Sequence, residues 1–145
     1  MAFDQDLKAG HRSEDRVLHI IQKRYSQAKR IEGKHSPYDI IVPELGYTVE
    51  VKGDYVSQKT NNIVIEVNHP IGKQSGLLVT TADWWVHDTG KELIWIKPKR
   101  IEECITVHNF PSKDIKGRGD RHPKRVYLIP VDTYRTFAWK PYDHK

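Results

Sequence analysis

Cysteine is almost missing from this sequence of 145 residues: Cys104 stands alone. It cannot form an internal disulfide or a thiolate metal cluster, and it points to a reducing, intracellular setting. No apolar run approaches the length needed to cross a bilayer. The opening stretch MAFDQDLKAGHRSEDR lacks the apolar centre of a secretory signal. The chain carries no phosphate loop with its lysine, no G-x-S-x-G elbow and no dinucleotide glycine fingerprint. Its eight histidines are scattered, with no i, i+4 pair to suggest a zinc site. Internal repeats and low-complexity tracts are also lacking.

What is present is charge. The formal net charge is +5 and the pI about 9.3, which suits an anionic partner without requiring one. Ser112 to Arg125, SKDIKGRGDRHPKR, holds six Lys or Arg against two Asp. With two glycines and a proline it reads as a mobile basic loop, either a solvated linker or a phosphate-seeking flap. The length fits one domain spanning 1–145 with a core of its own.

HRSEDRVLHIIQKRY has helical period, with Val17 or Leu18, Ile21 and Tyr25 on one stripe and Ser13 as the expected N-cap. Gln27 to Glu32 suggests a short strand. YDIIVP is a strand stopped by Pro43, and the ELG turn leads into YTVEVKGDY, so the two form a hairpin. GDYVSQKTN reads as a polar loop, NIVIEV as a strand and NHPIGKQSG as a second loop. Thr80 and Thr81 are candidate caps of one helical turn before WWVH, and DTGK turns the chain into ELIWI. Pro98 opens a helix through KRIEECI, RVYLIP is a last strand, and a short terminal segment follows. Trp84, Trp85 and Trp95 alternate with aliphatics as core or interface residues do. The element order predicts a mixed α/β sheet with a helix packed on it.

Residues two apart on a strand share a face, so Glu50 and Lys52 must point the same way. Asp39 is the only acid in its apolar run; if the two strands pair through the turn it can lie close to Glu50, in a register that the sequence does not fix. Two carboxylates held together repel unless a divalent cation lies between them. Oxygen ligands with retained waters describe Mg²⁺ better than Zn²⁺. Lys52 would then orient or deprotonate a metal-bound water. Glu14 shares the apolar stripe of its helix. It is either a first-turn acid favoured by the helix dipole or an acid in need of a partner on the sheet. Glu66 is either solvent-facing or an added acid beside the metal. The loop after it, with Lys73, Gln74 and Ser75 as donors and glycines that let amides approach, suits a phosphate and favours the second reading. On local evidence alone a plain Gly/Pro connector is the commoner reading of such a loop.

The ordered set of helix acid, strand Asp39, turn and Glu50-Val51-Lys52 resembles the PD-(D/E)xK nuclease superfamily. Its spacing is most similar to archaeal Holliday-junction resolvases and phage-encoded endonucleases. SEDRVLHIIQKRY resembles their opening helix, SPYDIIV stands where they carry a Pro-Asp pair, and TVEVKGDY resembles their E-x-K strand. Tyr38 departs from the pattern by separating Pro37 from Asp39. NNIVIEVNHPIGKQSGLLVTTADWWV also looks like a stretch of phage nucleases, so the likeness covers roughly 12–86.

The resemblance implies a restriction-endonuclease-like central mixed sheet flanked by helices. It implies a Mg²⁺ site, with Mn²⁺ able to substitute, formed by Asp39, Glu50 and the Val51 carbonyl. Lys52 would position the nucleophilic water, and Glu14 would hold a second metal or a water. In-line cleavage of DNA leaving a 5′ phosphate and a 3′ hydroxyl is implied, with branched or structured DNA as one substrate class, and so is a homodimer. The DNA-binding candidates are Lys59, Lys73, Gln74, Ser75, Lys116, Arg118 and Arg121. Three alternatives stay open: a non-catalytic DNA binder of the same fold, an exonuclease acting at DNA ends, and an interaction protein using the Trp-rich hairpin as a dimer face.

Overall fold

A computed structural model describes residues 2–31, 38–116 and 121–140, with backbone alone for 2–11. Helix α1, Ala2–Gln22, is followed by strands β1 (Lys29–Arg30), β2 (Ile40–Val42) and β3 (Tyr47–Gly53). Helix α2 (Ser57–Thr60) and strand β4 (Asn62–Asn68) come next, then a 3-10 turn at Gly76–Leu78. Strands β5 (Trp84–Asp88) and β6 (Leu93–Ile96) precede helix α3 (Pro98–His108). Strands β7 (Ser112–Ile115) and β8 (Lys124–Pro130) and helix α4 (Val131–Phe137) complete the described order.

The strands form two sheets. Five lie in the order β1-β2-β3-β5-β6 and three in the order β4-β8-β7. Only β3 and β5 pair in parallel; the remaining pairs among the described residues are antiparallel. The expected β2–β3 hairpin forms, with Ile40 opposite Val49 and Val42 opposite Tyr47. Alternation decides the layering, because the larger sheet offers apolar residues to both sides. Val49 and Val86 turn to α1, where they join Val17, Ile21, Ile40 and Val42. Trp85, Ile94 and Ile96 turn the other way and pack with Ile63, Ile65, Val67, Ile101, Ile129 and Tyr134. The larger sheet therefore lies between α1 and a layer made of the smaller sheet, α3 and α4. Among the described residues no helix is long and apolar enough to cross a membrane.

Four local expectations change. Helix α1 begins well before Ser13, so that residue is no N-cap. Its buried hydroxyl donates instead to Asp88 at 2.8 Å. GDYVSQKTN is not wholly a loop, since α2 lies within it and Asp54 is buried. Asp54 accepts the Val64 amide at 2.9 Å, which ties the end of β3 to β4. The helical turn expected at Thr80 falls earlier, at Gly76–Leu78. Thr80 turns its hydroxyl to the Trp85 indole, which donates to it at 3.0 Å.

The fourth change concerns the basic segment 112–125, which is not one continuous loop. Ser112–Ile115 pair with Lys124, Arg125, Val126 and Tyr127 of β8. An exposed ion pair between Arg125 and Asp114, at 2.9 Å, offsets part of its charge. Ser112, Lys113 and Asp114 keep their side chains in water and Ile115 is half-buried, while the backbone ladder to β8 holds the strand.

Candidate functional site

Asp39 stands one residue before β2. Its amide donates to the Val49 carbonyl at 2.9 Å, which extends the ladder by one step and sets Asp39 beside the Glu50-Val51-Lys52 segment. The Val51 amide donates to Asp39 Oδ2 at 2.7 Å. Lys52 Nζ lies 2.8 Å from Glu50 Oε2, with 40% of the Lys52 side chain exposed against 14% of Glu50. Asp39, Glu50 and Lys52 thus come together as the hairpin and the shared strand face require.

The electrostatics of the cluster are uneven. Burial raises the Asp39 carboxyl, the Val51 hydrogen bond lowers it, and the charges of Glu14 and Glu50 raise it further against the opposing field of Lys52. It is pushed up to about 6. Burial works against the charge on Lys52. The field and hydrogen bond of Glu50 outweigh it, with Glu66 and Asp39 adding to them, so Lys52 titrates above its ordinary value. Lys52 is an ammonium here, which favours orienting and charge-stabilising work over proton abstraction.

Glu14 and Glu66 reach the cluster through their fields, Glu14 on Asp39 and Glu66 on Lys52. Glu14 does not lie in the first helical turn. It has the partner that an acid on the packed face needs: Arg30 of β1, which donates to it at 2.9 Å and to Asp15 at 2.8 Å. Glu66 lies on the half-buried face of β4, and close backbone packing holds it there. A Cβ at Gly76, whose φ is +52°, would sit 2.2 Å from the Glu66 carbonyl oxygen, so only glycine fits.

The loop after β4 uses its amides internally. Gly72 donates to Asn68 Oδ1 at 3.2 Å, Lys73 to the Pro70 carbonyl at 3.0 Å and Ser75 to the Val67 carbonyl at 2.9 Å. This leaves the exposed side chains of Lys73 and Gln74 as its outward donors. The Ser75 hydroxyl is buried without a hydrogen-bond partner among the described residues. Lys59 is exposed on α2. Lys116 and Arg121 are exposed at the two ends of the β7–β8 connection. Arg118 lies outside the described residues.

Sequence reasoning missed Thr80 and Trp85. The Thr80 hydroxyl lies 3.4 Å from Glu50 Oε1 while accepting the Trp85 indole, so it joins the acid to the core. Lys52 Nζ lies 5.2 Å from the centroid of the Trp85 ring, a cation–π contact beneath the ion pair. Neither residue carries a local motif; only the β3–β5 register, with Glu50 opposite Trp85, brings them in. His87 is buried on the same strand, and Tyr134 Oη lies 3.0 Å from its Nδ1. Burial, helped by the charge of Lys52, pushes its imidazole down to about 3, so it is neutral.

Among the described residues no group of three or more His, Cys, Asp or Glu side chains is arranged to hold a metal ion. The cluster offers two carboxylates, Asp39 and Glu50, with an ammonium against one of them. The raised Asp39 pKa reflects burial first and then the negative charge of Glu14 and Glu50, and a bound cation would offset that charge. On that ground the donor set fits a hard divalent ion that keeps several waters. Comparisons with family profiles, with curated protein sequences and with solved structures found no match to this chain.

Proposed function

We propose that the protein is a Mg²⁺-dependent DNA endonuclease of the PD-(D/E)xK kind, built on a restriction-endonuclease-like sheet. The observation that carries the reading is the meeting of Asp39, Glu50 and Lys52 on neighbouring strands, with the Asp39 pKa raised to about 6. The mixed sheet with α1 on one face supports the same reading at the level of architecture.

Asp39, Glu50 and the Val51 carbonyl would hold the metal. Mg²⁺ bound there supplies positive charge to the scissile phosphate and lowers the pKa of an attacking water. Asp39, largely ionised at pH 7, stays in place through the Val51 amide. Lys52 holds Glu50 and presents its remaining N–H donors to the phosphate, where negative charge builds during in-line attack. Water adds to phosphorus, the bond to the 3′ oxygen breaks, and a 5′ phosphate and a 3′ hydroxyl result. Arg30 holds Glu14 in place at the edge of the cluster. Lys73, Gln74, Lys116 and Arg121 extend the surface available to the DNA backbone, and a second copy of the chain would allow paired cuts.

The test is relaxation of supercoiled plasmid with Mg²⁺ and with EDTA. Nicking that requires Mg²⁺ and disappears in Asp39→Asn supports the assignment. Plasmid left intact under both conditions, with DNA binding retained, makes the protein a non-catalytic binder.

A further inference from the structure

A second region with chemistry of its own lies where the ends of β5, β6 and α4 meet the start of α3. A cavity of about 350 Å³ there is lined chiefly by Trp84, Lys97, Arg100, Phe137, Trp139 and Lys140. Among the described residues its lining includes three cations and no carboxylate. Two of the cations rest on aromatic rings. Lys97 Nζ lies 5.3 Å from the Trp84 centroid and Arg100 Cζ lies 4.7 Å from the Phe137 centroid. Cation–π contacts of this kind orient a charge without cancelling it, so hydrogen-bond donors remain for an anion. Arg100 also pairs with Glu103, one turn along α3, which does not line the cavity.

Trp139 fixes the character of the region. Its amide donates to the Trp95 carbonyl at 2.7 Å, which straps the chain after α4 across β6. Trp139 stays 37% exposed. Trp84 and Trp139 also line an apolar cavity of about 280 Å³ that includes Leu45, Tyr47 and Trp95. One surface therefore runs from a cationic end to an aromatic end, with Trp139 at the junction.

We propose that this surface binds single-stranded nucleic acid, with phosphates on Lys97 and Arg100 and an unstacked base against Trp139. A cationic patch beside the exposed indole of Trp139 matches a polymer that carries phosphates and flat bases together. A duplex hides those bases, and a peptide with acidic side chains uses the cations but has no ring to place on the indole. The proposal borrows from the nuclease reading only the choice of DNA as the polymer, and it requires no hydrolysis.

The experiment is fluorescence anisotropy of the full chain in EDTA. The probes are a labelled decamer of single-stranded DNA, the same decamer as a duplex, an abasic strand of equal length, and polyglutamate as competitor. The single strand is expected to bind at least about fivefold tighter than the abasic strand. Trp139→Ala should remove that preference. Lys97→Ala with Arg100→Ala should flatten the slope of log affinity against log salt by about 1.4, at roughly 0.7 for each phosphate no longer held. Circular dichroism melts check that the variants fold, and Trp139→Phe, which keeps a ring, should retain most of the base preference. Equal binding of intact and abasic strands, or duplex binding as tightly as the single strand, would overturn the proposal. Displacement by polyglutamate at matched charge would overturn it too, in favour of an acidic peptide. If the single strand binds as expected while plasmid is not nicked with Mg²⁺, the nuclease reading alone falls; the reverse pattern removes this site alone.

Discussion

The Val51 amide donates to the Asp39 carboxylate at 2.7 Å, joining an acid just before one strand to the middle of the next. That bond spans the hairpin, and Glu50 and Lys52 flank its donor in sequence. Any backbone shift in β3 therefore moves all three groups of the candidate site together.

Asp39→Asn should raise stability while ending cleavage. The folded pKa of about 6 lies above the ordinary 3.8, so the favourable contribution of Asp39 is complete below pH 3.8. It is lost as pH rises through about 6. At about 1.4 kcal/mol per pKa unit, the advantage of the asparagine variant should grow by roughly 3 kcal/mol between those limits. Urea unfolding of both proteins at pH 4, 5, 6 and 7.5 measures it, and parallel curves would remove the electrostatic account of the cluster.

Mg²⁺ should stabilise the native chain, and more at pH 7.5 than at pH 5, because protons compete for Asp39. At ten times the dissociation constant the gain is about 1.4 kcal/mol by mass action. Thermal melts with and without the ion check this. The shift should vanish in Asp39→Asn, and an equal shift in that variant would place the ion elsewhere.

Lys52→Ala should reduce cleavage at least about 100-fold, the scale of losing one positioned charge at a reacting phosphate. DNA affinity should stay within about threefold, since the ammonium is one of several cations facing the polymer. Mg²⁺ affinity should hold or tighten, because the group that competes for Glu50 is gone. Plasmid nicking and calorimetric titration together separate these effects, and weaker Mg²⁺ binding would contradict the ion-pair geometry.

Asp88→Ala should cost about 1–3 kcal/mol, the usual penalty for leaving buried donors unpaired, because the half-exposed Arg16 regains water. Asp88 is 1% exposed and accepts from Ser13, Arg16, Tyr55 and the Gly90 amide. Ser13 and Arg16 flank Glu14 in sequence, so α1 should loosen near the site as well. Hydrogen exchange of α1 amides reads that directly, and unchanged protection would show that α1 is anchored by Val17 and Ile21 alone.

Replacing Lys116 and Arg121 by serine should weaken DNA binding and lower the salt slope by about 1.8, at roughly 0.9 per phosphate on duplex. Both residues are exposed beside the β7–β8 hairpin and outside the core, so stability should change by less than about 0.5 kcal/mol. A salt slope equal to that of the native chain would leave the hairpin without a role in binding.

The clearest sequence signals were local ones. The β2–β3 hairpin could be read from apolar runs on either side of Pro43 and Gly46, and α3 from Pro98 at its start. That hairpin made the meeting of Asp39 with Glu50 available, and the pairing of Ile40 with Val49 supplied the register that the sequence left open. Ser13 misled for a definite reason. A serine before an apolar stripe looks like a cap, but here the helix continues upstream and the hydroxyl satisfies Asp88, 75 residues away. The segment 112–125 misled because its charge and glycines outweighed the strand pairing available from β8.

Residue order was enough to place most elements and to put Glu50 and Lys52 on one strand face, since side-chain alternation and a short turn are rules of the local backbone; the register that sets Asp39 beside them came from the folded ladder. Layer packing was needed before Glu14 could meet Arg30, before Thr80 and Trp85 could support Glu50 and Lys52, and before β4 could join a second sheet. Those contacts depend on how layers stack and on a parallel crossover from β3 to β5. Neither leaves a periodic trace along the chain, because the partners are chosen by burial and charge between segments far apart in sequence.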